Sequence, residues 1–143
     1  MQSDKIIILD SDESNTSFFA DRLRPNDVEI DIFRNLSDMG HKVSVMDFKM
    51  VLINYSTILE AERMEVVGIF KQLRGHDLIV YNVPDRANRR LAFYDLGASR
   101  VYDESVSPDE ICYRMKWLLT SLATASTLSD RYSEGKLEDI PLA

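Results

Sequence analysis

The chain has 143 residues, of which 45% are hydrophobic and 29% charged, a composition typical of one globular domain with its own core. Its 24 acidic residues outnumber 17 basic ones, and the net charge of -7 argues against a general nucleic-acid surface, which needs a basic field over the phosphates. The single cysteine, Cys112, excludes an internal disulfide and fits a reducing cytosol, so we expect a cytoplasmic protein, and no apolar run approaches the roughly 18 residues of a membrane span.

The chain opens with a short apolar strand followed by an acidic loop. Residues 6–9 are a β-branched run typical of a buried strand, which ends at Asp10. Asp12 or Ser14 then caps a predicted helix that continues to about Leu23. A phosphate-cradling loop needs free backbone N–H groups and close approach, and this loop contains no glycine. The pattern therefore disfavours nucleotide or flavin phosphate binding here.

Two further strands follow, and the second ends at a polar residue. Residues 28–33 alternate apolar and acidic side chains, as a half-buried edge strand does, and residues 36–46 form a predicted short helix. Residues 48–54 are almost continuously apolar, which suits a central strand of a parallel sheet buried on both faces. That strand ends at Asn54. Because open α/β sheets bind ligands at the carboxyl ends of their strands, Asn54 is a candidate site residue.

Two predicted helices flank the fourth strand. The first is one long helix from Ser56 or Thr57 to about Arg74, whose candidate core positions are Ile58, Met64, Val67, Ile69 or Phe70, and Leu73. Residues 78–81 form the fourth strand, which ends at Asn82. The second helix is predicted over residues 85–96. Its inward positions are Ala87, Leu91 and Tyr94, and its outward positions are Arg86, Arg89 and Phe93.

The last predicted elements are a short strand and a well-capped helix. Residues 101–102 form the strand, and the helix opens with Ser107 at the N-cap, Pro108 at the first position and Glu110 at the third. Its inward residues are Ile111, Met115, Leu118 and Leu122, while Tyr113 and Trp117 fall on its other side. We expect residues 1–123 to form one domain and residues 124–143 a helix extension and a linker toward a C-terminal domain.

Strands alternating with helices predict an α/β protein whose parallel sheet is covered on both faces. The strand-end residues, the Gly97-Ala98 pair at its spacing after Asn82, and the Ser107-Pro108 helix start together resemble the receiver domain of bacterial two-component response regulators over residues 3–123. The resemblance implies a doubly wound, flavodoxin-like (βα)5 sheet with strand order 2-1-3-4-5. It also implies a signalling domain, not an enzyme, that takes a phosphoryl group from a histidine kinase.

The residues that would carry that reaction depart from the family pattern. Receiver domains use an acidic pair after the first strand to hold Mg²⁺, an acceptor Asp after the third, a Ser or Thr after the fourth and a Lys after the fifth. The matching positions here hold Asp10 with Ser11, then Asn54, Asn82 and Glu104. The resemblance therefore implies a degenerate phosphorylation pocket.

These departures have a physical meaning. An amide oxygen carries no full negative charge, so Asn54 is a poor nucleophile toward phosphorus. Mg²⁺ prefers anionic oxygens, and Ser11 and Asn54 replace two of three carboxylates, so we expect no cofactor and weak or lost Mg²⁺ binding. Glu104 stands where the family has a lysine, so a negative charge replaces a positive one. Two unit charges about 4 Å apart interact by roughly 4 kcal/mol at an effective dielectric of 20. The attraction that the lysine would exert on an incoming phosphate therefore becomes a repulsion of similar size. His41, His76 and Cys112 give no metal-site spacing.

The alternative role of Asn54 stays open at the level of sequence. Its amide has two donors and an acceptor, and one hypothesis is that it bridges Asp10 and Glu104 and fixes the pocket in one state. A rival hypothesis is weak cation binding by Asp10, Asp12 and Glu104. A third interpretation is that Asp10, Asp12 and Ser14 only form a capped, solvated helix start.

The resemblance also indicates where partners bind. In receiver domains the fourth helix, the fifth strand and the fifth helix form the usual dimer or partner face. The residues that fall on or near it, including the position of the family's switch aromatic, are Arg86, Arg90, Phe93, Val101, Tyr113, Arg114 and Trp117. Exposed aromatic residues near arginines are common at interfaces.

The leading hypothesis is therefore a receiver-like signalling domain that lacks the phosphoacceptor Asp and acts through protein–protein contacts. Its expected partners are a protein, a second copy of the chain, or a C-terminal output domain, with no nucleic acid and no membrane. One alternative is an active receiver phosphorylated by a non-standard route. Another is a flavodoxin-like redox protein, which the glycine-free loop after the first strand disfavours.

Overall fold

The computed structural model describes residues 5–132, and of residues 121–132 only the backbone. Its elements in chain order are β1 (Lys5–Leu9), α1 (Glu13–Leu23), a 3-10 turn (Arg24–Asn26), β2 (Glu29–Phe33), α2 (Leu36–Val43), β3 (Met50–Asn54), α3 (Tyr55–Ile58), α4 (Arg63–Gln72), β4 (Asp77–Val83), α5 (Ala87–Asp95), β5 (Arg100–Asp103) and α6 (Pro108–Tyr132). No helix within the described residues has both the length and the apolar character needed to cross a bilayer.

The five strands form one parallel sheet in the order β2-β1-β3-β4-β5. This confirms the predicted fold class and strand order. The interior strands β1, β3 and β4 are buried on both faces because their side chains alternate between two apolar cores. Ile7 and Leu9 of β1 enter the core that holds α2, α4 and α5, whereas Ile6 and Ile8 enter the core that holds α1 and α6. Continuous apolar sequence is what such doubly covered strands require.

The helix predicted from Ser56 or Thr57 to Arg74 is wrong as a single element. It is a one-turn helix, α3, and after a break a separate helix, α4. The break lets the first turn stay beside the strand ends, where Thr57 accepts a hydrogen bond from Ser11, while α4 packs Phe70 against the sheet. As a consequence Met64, predicted inward, is 78% exposed.

The predicted orientation of α5 is also wrong. Its three predicted inward residues, Ala87, Leu91 and Tyr94, are exposed, and Phe93 is instead buried. The Phe93 ring packs against the rings of Tyr55 and Phe70, with centroids 5.8 Å away in both pairs. The physical reason is that a phenyl ring buries more apolar surface than any other side chain of this short helix, so it takes the core position.

The last helix agrees with the sequence over the residues whose side chains are described. Ser107 accepts a hydrogen bond from the Glu110 N–H, as predicted for the N-cap. Ile111 and Met115 are fully buried, and Leu118 packs against the core, whereas the Leu122 side chain lies outside the described residues. The helix continues past residue 123 to Tyr132, and residues 133–143, where a linker was expected, also lie outside the described residues.

Candidate functional site

Polar side chains meet at the carboxyl edge of the sheet, where β1, β3 and β4 end. The register places Leu9 beside Ile53 and Asn54 beside Tyr81, so the residues that end or follow these strands become neighbours. Asp10, Asn54 and Asn82 were predicted to share this place, and a chain of hydrogen bonds joins them. Parallel strands force this meeting, since all their carboxyl ends lie at one edge.

Asp10 is a fully buried carboxylate. Its Oδ1 accepts hydrogen bonds from the Asp12 N–H at 2.9 Å and from Asn54 Nδ2 at 3.1 Å. Its Oδ2 accepts a hydrogen bond from the Tyr81 hydroxyl. A buried charge is costly unless it is hydrogen-bonded, and three donors converge here on two oxygens. The carboxylate is thus satisfied by neutral donors, and no basic side chain of the described residues is bonded to it.

Asn54 is 4% exposed, and both ends of its amide are engaged. Its Nδ2 donates to Asp10 and to the Tyr81 hydroxyl oxygen, the latter at 3.2 Å. Its Oδ1 accepts from the Ser56 N–H at 2.9 Å, which caps α3, and from Asn82 Nδ2 at 3.2 Å. The amide therefore locks the end of β3 to both neighbouring strands and to the next helix.

The predicted bridge from Asn54 to Glu104 is wrong. Asn54 makes the bond to Asp10, but within residues 5–132 no hydrogen bond joins the Glu104 side chain to Asn54 or Asp10, and Glu104 is exposed. The Glu104 backbone N–H donates to the Val83 carbonyl at 2.9 Å. Because β5 is the edge strand and Glu104 directly follows it, the side chain reaches solvent rather than the buried amide.

Tyr81 is a site residue that sequence reasoning missed. Its ring is in the core on the α1 and α6 side of the sheet, and its hydroxyl reaches across to Asp10 and Asn54. Burial, reinforced by the hydrogen bond to Asp10 and its charge, raises the pKa of the Tyr81 hydroxyl, which therefore stays a donor. In the sequence Tyr81 reads as the apolar end of a strand, and only the register with Asn54 reveals its role.

Asn82 has a left-handed backbone with φ +64, at the register shift where β4 and β5 pair irregularly between Val80 and Val83. Its Nδ2 donates to Asn54 Oδ1 and, at 2.9 Å, to Ser56 Oγ. Asparagine tolerates this backbone region better than most residues do. The irregularity in the strand turns its amide back over the end of β3.

Ser11 and Asp12 lie at the rim of the site. The Ser11 N–H donates to Thr57 Oγ1 at 3.0 Å, and the two hydroxyls are 3.3 Å apart. Asp12 accepts from the backbone N–H groups of Ser14 and Asn15, which confirms it as the N-cap of α1. The Ser14 hydroxyl, with those backbone bonds, lowers the pKa of the Asp12 carboxyl. Among the described residues, no three His, Cys, Asp or Glu side chains are grouped closely enough to hold a metal ion.

Comparison with solved structures identifies the architecture. A two-component response regulator from Clostridium difficile matches with a TM-score of 0.69 at 13% identity, over 84% of this chain and 98% of that one. A CheY-like receiver domain from Methanospirillum hungatei JF-1 matches at 0.66 and 18% identity, over 84% and 96%. The beryllofluoride-activated NtrC4 receiver domain dimer matches at 0.65 and 15%, over 78% and 93%.

The chain has the receiver-domain fold. At these identities the likeness concerns the fold alone. No protein-family model matches the sequence, and no curated protein does.

In this receiver fold, the face made by α5, β5 and α6 corresponds to the predicted partner face. Two residues assigned to it, Phe93 and Val101, are each 7% exposed, and both side chains pack in the core on the α5 side of the sheet. The predicted outward placement of Phe93 is therefore wrong. Tyr113 is 63% exposed, Arg86 is exposed and Trp117 is half-buried.

Two arginines of this face form ion pairs within the chain. Arg90 contacts Asp85 at 2.6 Å, and Arg114 contacts Glu110 one helical turn away at 2.5 Å. They border a cleft of about 690 Å³ that is also lined by Tyr94, Tyr102, Asp103 and Val106.

Proposed function

We propose that this chain is a receiver-like signalling domain that does not accept a phosphoryl group at its strand ends and acts through contacts with other protein surfaces. The observation that carries the proposal is Asn54, at the place where the resembled family has its acceptor Asp, with its amide bonded at both ends. The similarity of fold to receiver domains of response regulators supports the signalling role.

The chemistry of Asn54 supports the absence of phosphotransfer. A nucleophile must present an electron pair on an anionic oxygen to the phosphorus, and an amide oxygen is neutral. Here Asn54 Oδ1 already accepts two hydrogen bonds, from the Ser56 N–H and Asn82 Nδ2. At 4% exposure the residue also offers little access to an incoming phosphoryl donor.

The surroundings of Asp10 support weak or absent Mg²⁺ binding. In the resembled family, Mg²⁺ supplies the charge that neutralises the phosphoryl oxygens, and it requires oxygen atoms with free lone pairs. The oxygens of Asp10 face three donors, and the Ser11 hydroxyl pairs with Thr57. The residues at this site therefore do not fit the ion.

Incubation with acetyl phosphate and Mg²⁺, followed by intact mass measurement, tests the loss of phosphotransfer. We expect no phosphate adduct on the unmodified chain, with an active receiver domain as the positive control. An adduct that disappears in Asn54→Ala would contradict the proposal. An adduct that persists in Asn54→Ala would support the alternative, phosphorylation at another residue.

For the contact surface, we propose the face made by α5, β5 and α6, with a second copy of this chain as its first candidate occupant. Tyr113 exposes an aromatic ring on α6, next in sequence to Arg114, and Arg114 and Arg90 line the cleft between these elements. The NtrC4 receiver domain, which has a similar fold, was solved as a dimer. Aromatic residues with arginines at the rim are the composition expected of an interface.

Sedimentation equilibrium tests this surface. We expect concentration-dependent dimerisation that Tyr113→Ser weakens by about tenfold, a typical loss for an aromatic contact residue. Met64→Ser is the matched control, since Met64 is 78% exposed on α4, away from this face. A chain that is monomeric at all concentrations, or equal weakening by both variants, would contradict self-association through this face.

A further inference from the structure

Tyr81 lies on β4, and its hydroxyl donates a hydrogen bond to the buried carboxylate of Asp10. The Tyr81 ring is 5% exposed and lies edge-on to the Phe19 ring of α1, with centroids 5.4 Å apart. It shares its core with Ile8, Leu52 and Ile79 of the sheet. A ring packed in this way cannot swing aside without opening the core, so the hydroxyl is held against Asp10 by the fold itself.

The three described donors to Asp10 would be removed by different substitutions. The Asp12 N–H belongs to the backbone at the start of α1 and shares Oδ1 with the Asn54 amide. Substitution of Asn54 by Asp would remove the amide donor. The Tyr81 hydroxyl would remain, and within residues 5–132 it is the donor bonded to Oδ2. Its proton points at the carboxylate oxygen, so a cation approaching that oxygen would meet a positive hydrogen instead of a lone pair.

We propose that Tyr81 is the residue that closes this site to divalent cations, by occupying the Asp10 oxygen that a cation would need. The inference rests on the proposed function, because it concerns the same pocket, and it deepens that proposal by naming a block that the missing carboxylates do not account for. Restoring acidic residues at Ser11 and Asn54 is then insufficient. The hydroxyl of Tyr81 must also go.

Paired variants test this directly. The first carries Ser11→Asp, Asn54→Asp and Glu104→Lys, and the second carries the same changes with Tyr81→Phe, which keeps the ring against Phe19 and deletes only the hydroxyl. Mn²⁺ is the probe, with free ion measured by electron paramagnetic resonance and Mg²⁺ as competitor. We expect the variant with Tyr81→Phe to bind Mn²⁺ at least tenfold more tightly than the first variant.

Tyr102→Phe in the same triple background is the matched control. Tyr102 is also 5% exposed, and its hydroxyl has no hydrogen-bond partner among the described residues. Its removal should leave Mn²⁺ affinity unchanged. Equal binding by the triple variant with and without Tyr81→Phe, whether tight or absent, would overturn the proposal, as would an equal gain from Tyr102→Phe.

Folding of every variant is checked by circular dichroism. If the triple background does not fold, the same comparison is made with Asn54→Asp alone, and the same outcomes apply. This experiment and the test of the proposed function can fail independently. Phosphorylation of the unmodified chain would overturn the function and leave the metal comparison standing, while equal Mn²⁺ binding would overturn only the role of Tyr81.

Discussion

Asn82 donates through Nδ2 to Asn54 Oδ1 at 3.2 Å while its own backbone is left-handed, with φ +64. The two asparagines thus link β4 to β3 at the carboxyl edge, and the link depends on the irregular backbone at Asn82. β-branched residues such as threonine are strained in this region, whereas asparagine and glycine are tolerated. The backbone favours asparagine here over the threonine that the resembled family often has.

Two substitutions at Asn82 separate the contribution of its left-handed backbone to stability from the contribution of its side-chain hydrogen bonds. Asn82→Thr removes the amide donor and places a β-branched residue at positive φ, so we expect the free energy of unfolding to fall by about 2–3 kcal/mol. Asn82→Gly loses the same donor without the backbone strain, so its loss should be about 1 kcal/mol. Urea unfolding followed by circular dichroism measures both. Equal losses would show that the left-handed backbone imposes no constraint on the residue type.

Asn54→Asp should destabilise the domain in a pH-dependent way. The new carboxylate would lie about 3 Å from Asp10 Oδ1, where like charges repel by roughly 5–6 kcal/mol at an effective dielectric of 20. Burial and this repulsion raise the pKa of the introduced carboxyl in the folded state above its unfolded value. The destabilisation is therefore full at neutral pH and shrinks as pH falls through the raised folded pKa. Urea unfolding between pH 7 and pH 5 measures it.

Asn54→Ala is the control for that experiment. It deletes the same hydrogen bonds without adding a charge, so it should cost about 1–3 kcal/mol by a mechanism that does not depend on pH over this range. A pH-independent loss in Asn54→Asp, equal to the loss in Asn54→Ala, would mean that the two carboxylates do not interact.

The strands and the parallel, doubly covered sheet could be predicted because apolar runs of strand length alternate with helical segments. The strand order was implied by the resemblance to receiver domains. The face of α5 that packs against the sheet could not be predicted. Its apolar residues, Leu91, Phe93 and Tyr94, do not share one face, so the sequence left two orientations available and tertiary packing of Phe93 chose between them. The break before α4 has the same origin, because contacts of Thr57 at the strand ends are invisible to helical periodicity.

The sequence predicted only those site residues that end or directly follow a strand. Asp10, Asn54 and Asn82 end or follow neighbouring parallel strands, and the topology alone brings them together. Tyr81 lies one residue earlier than Asn82 and reads as part of an apolar strand. Its contribution depends on the length of its side chain and on its register opposite Asn54, and both act across strands rather than along the sequence.

Alanine substitution checks the corrected orientation of α5. Phe93→Ala removes a ring that packs on Tyr55 and Phe70, so we expect the free energy of unfolding to fall by about 3–5 kcal/mol. Leu91→Ala, two residues earlier, is the matched control, since Leu91 is 61% exposed, and its effect should be within about 0.5 kcal/mol. Urea unfolding measures both variants. The reverse ranking would restore the originally predicted helix face.

Asp77 begins β4 and Asp103 ends β5. The charges of these two carboxyl groups should have opposite effects on the free energy of unfolding at neutral pH. Burial raises the pKa of the Asp77 carboxyl above its ordinary value of 3.8, whereas the hydroxyl of Ser105, followed by its backbone N–H, lowers that of Asp103. A raised pKa means that the folded state holds the proton more tightly, so ionised Asp77 costs stability at neutral pH. Asp77→Asn should therefore stabilise the domain at pH 7, and this gain should disappear as pH falls through the raised pKa toward 3.8.

Asp103→Asn should do the reverse. A lowered pKa means that the ionised carboxylate stabilises the folded state above 3.8, so the substitution should reduce the free energy of unfolding at pH 7. That deficit should persist unchanged at pH 5 and disappear only as pH falls through the lowered folded pKa. Urea unfolding of both variants and the unmodified chain across this range measures the two trends. Trends of the same sign in the two variants would contradict the assignment, because burial and hydrogen bonding act on the two carboxyls in opposite directions.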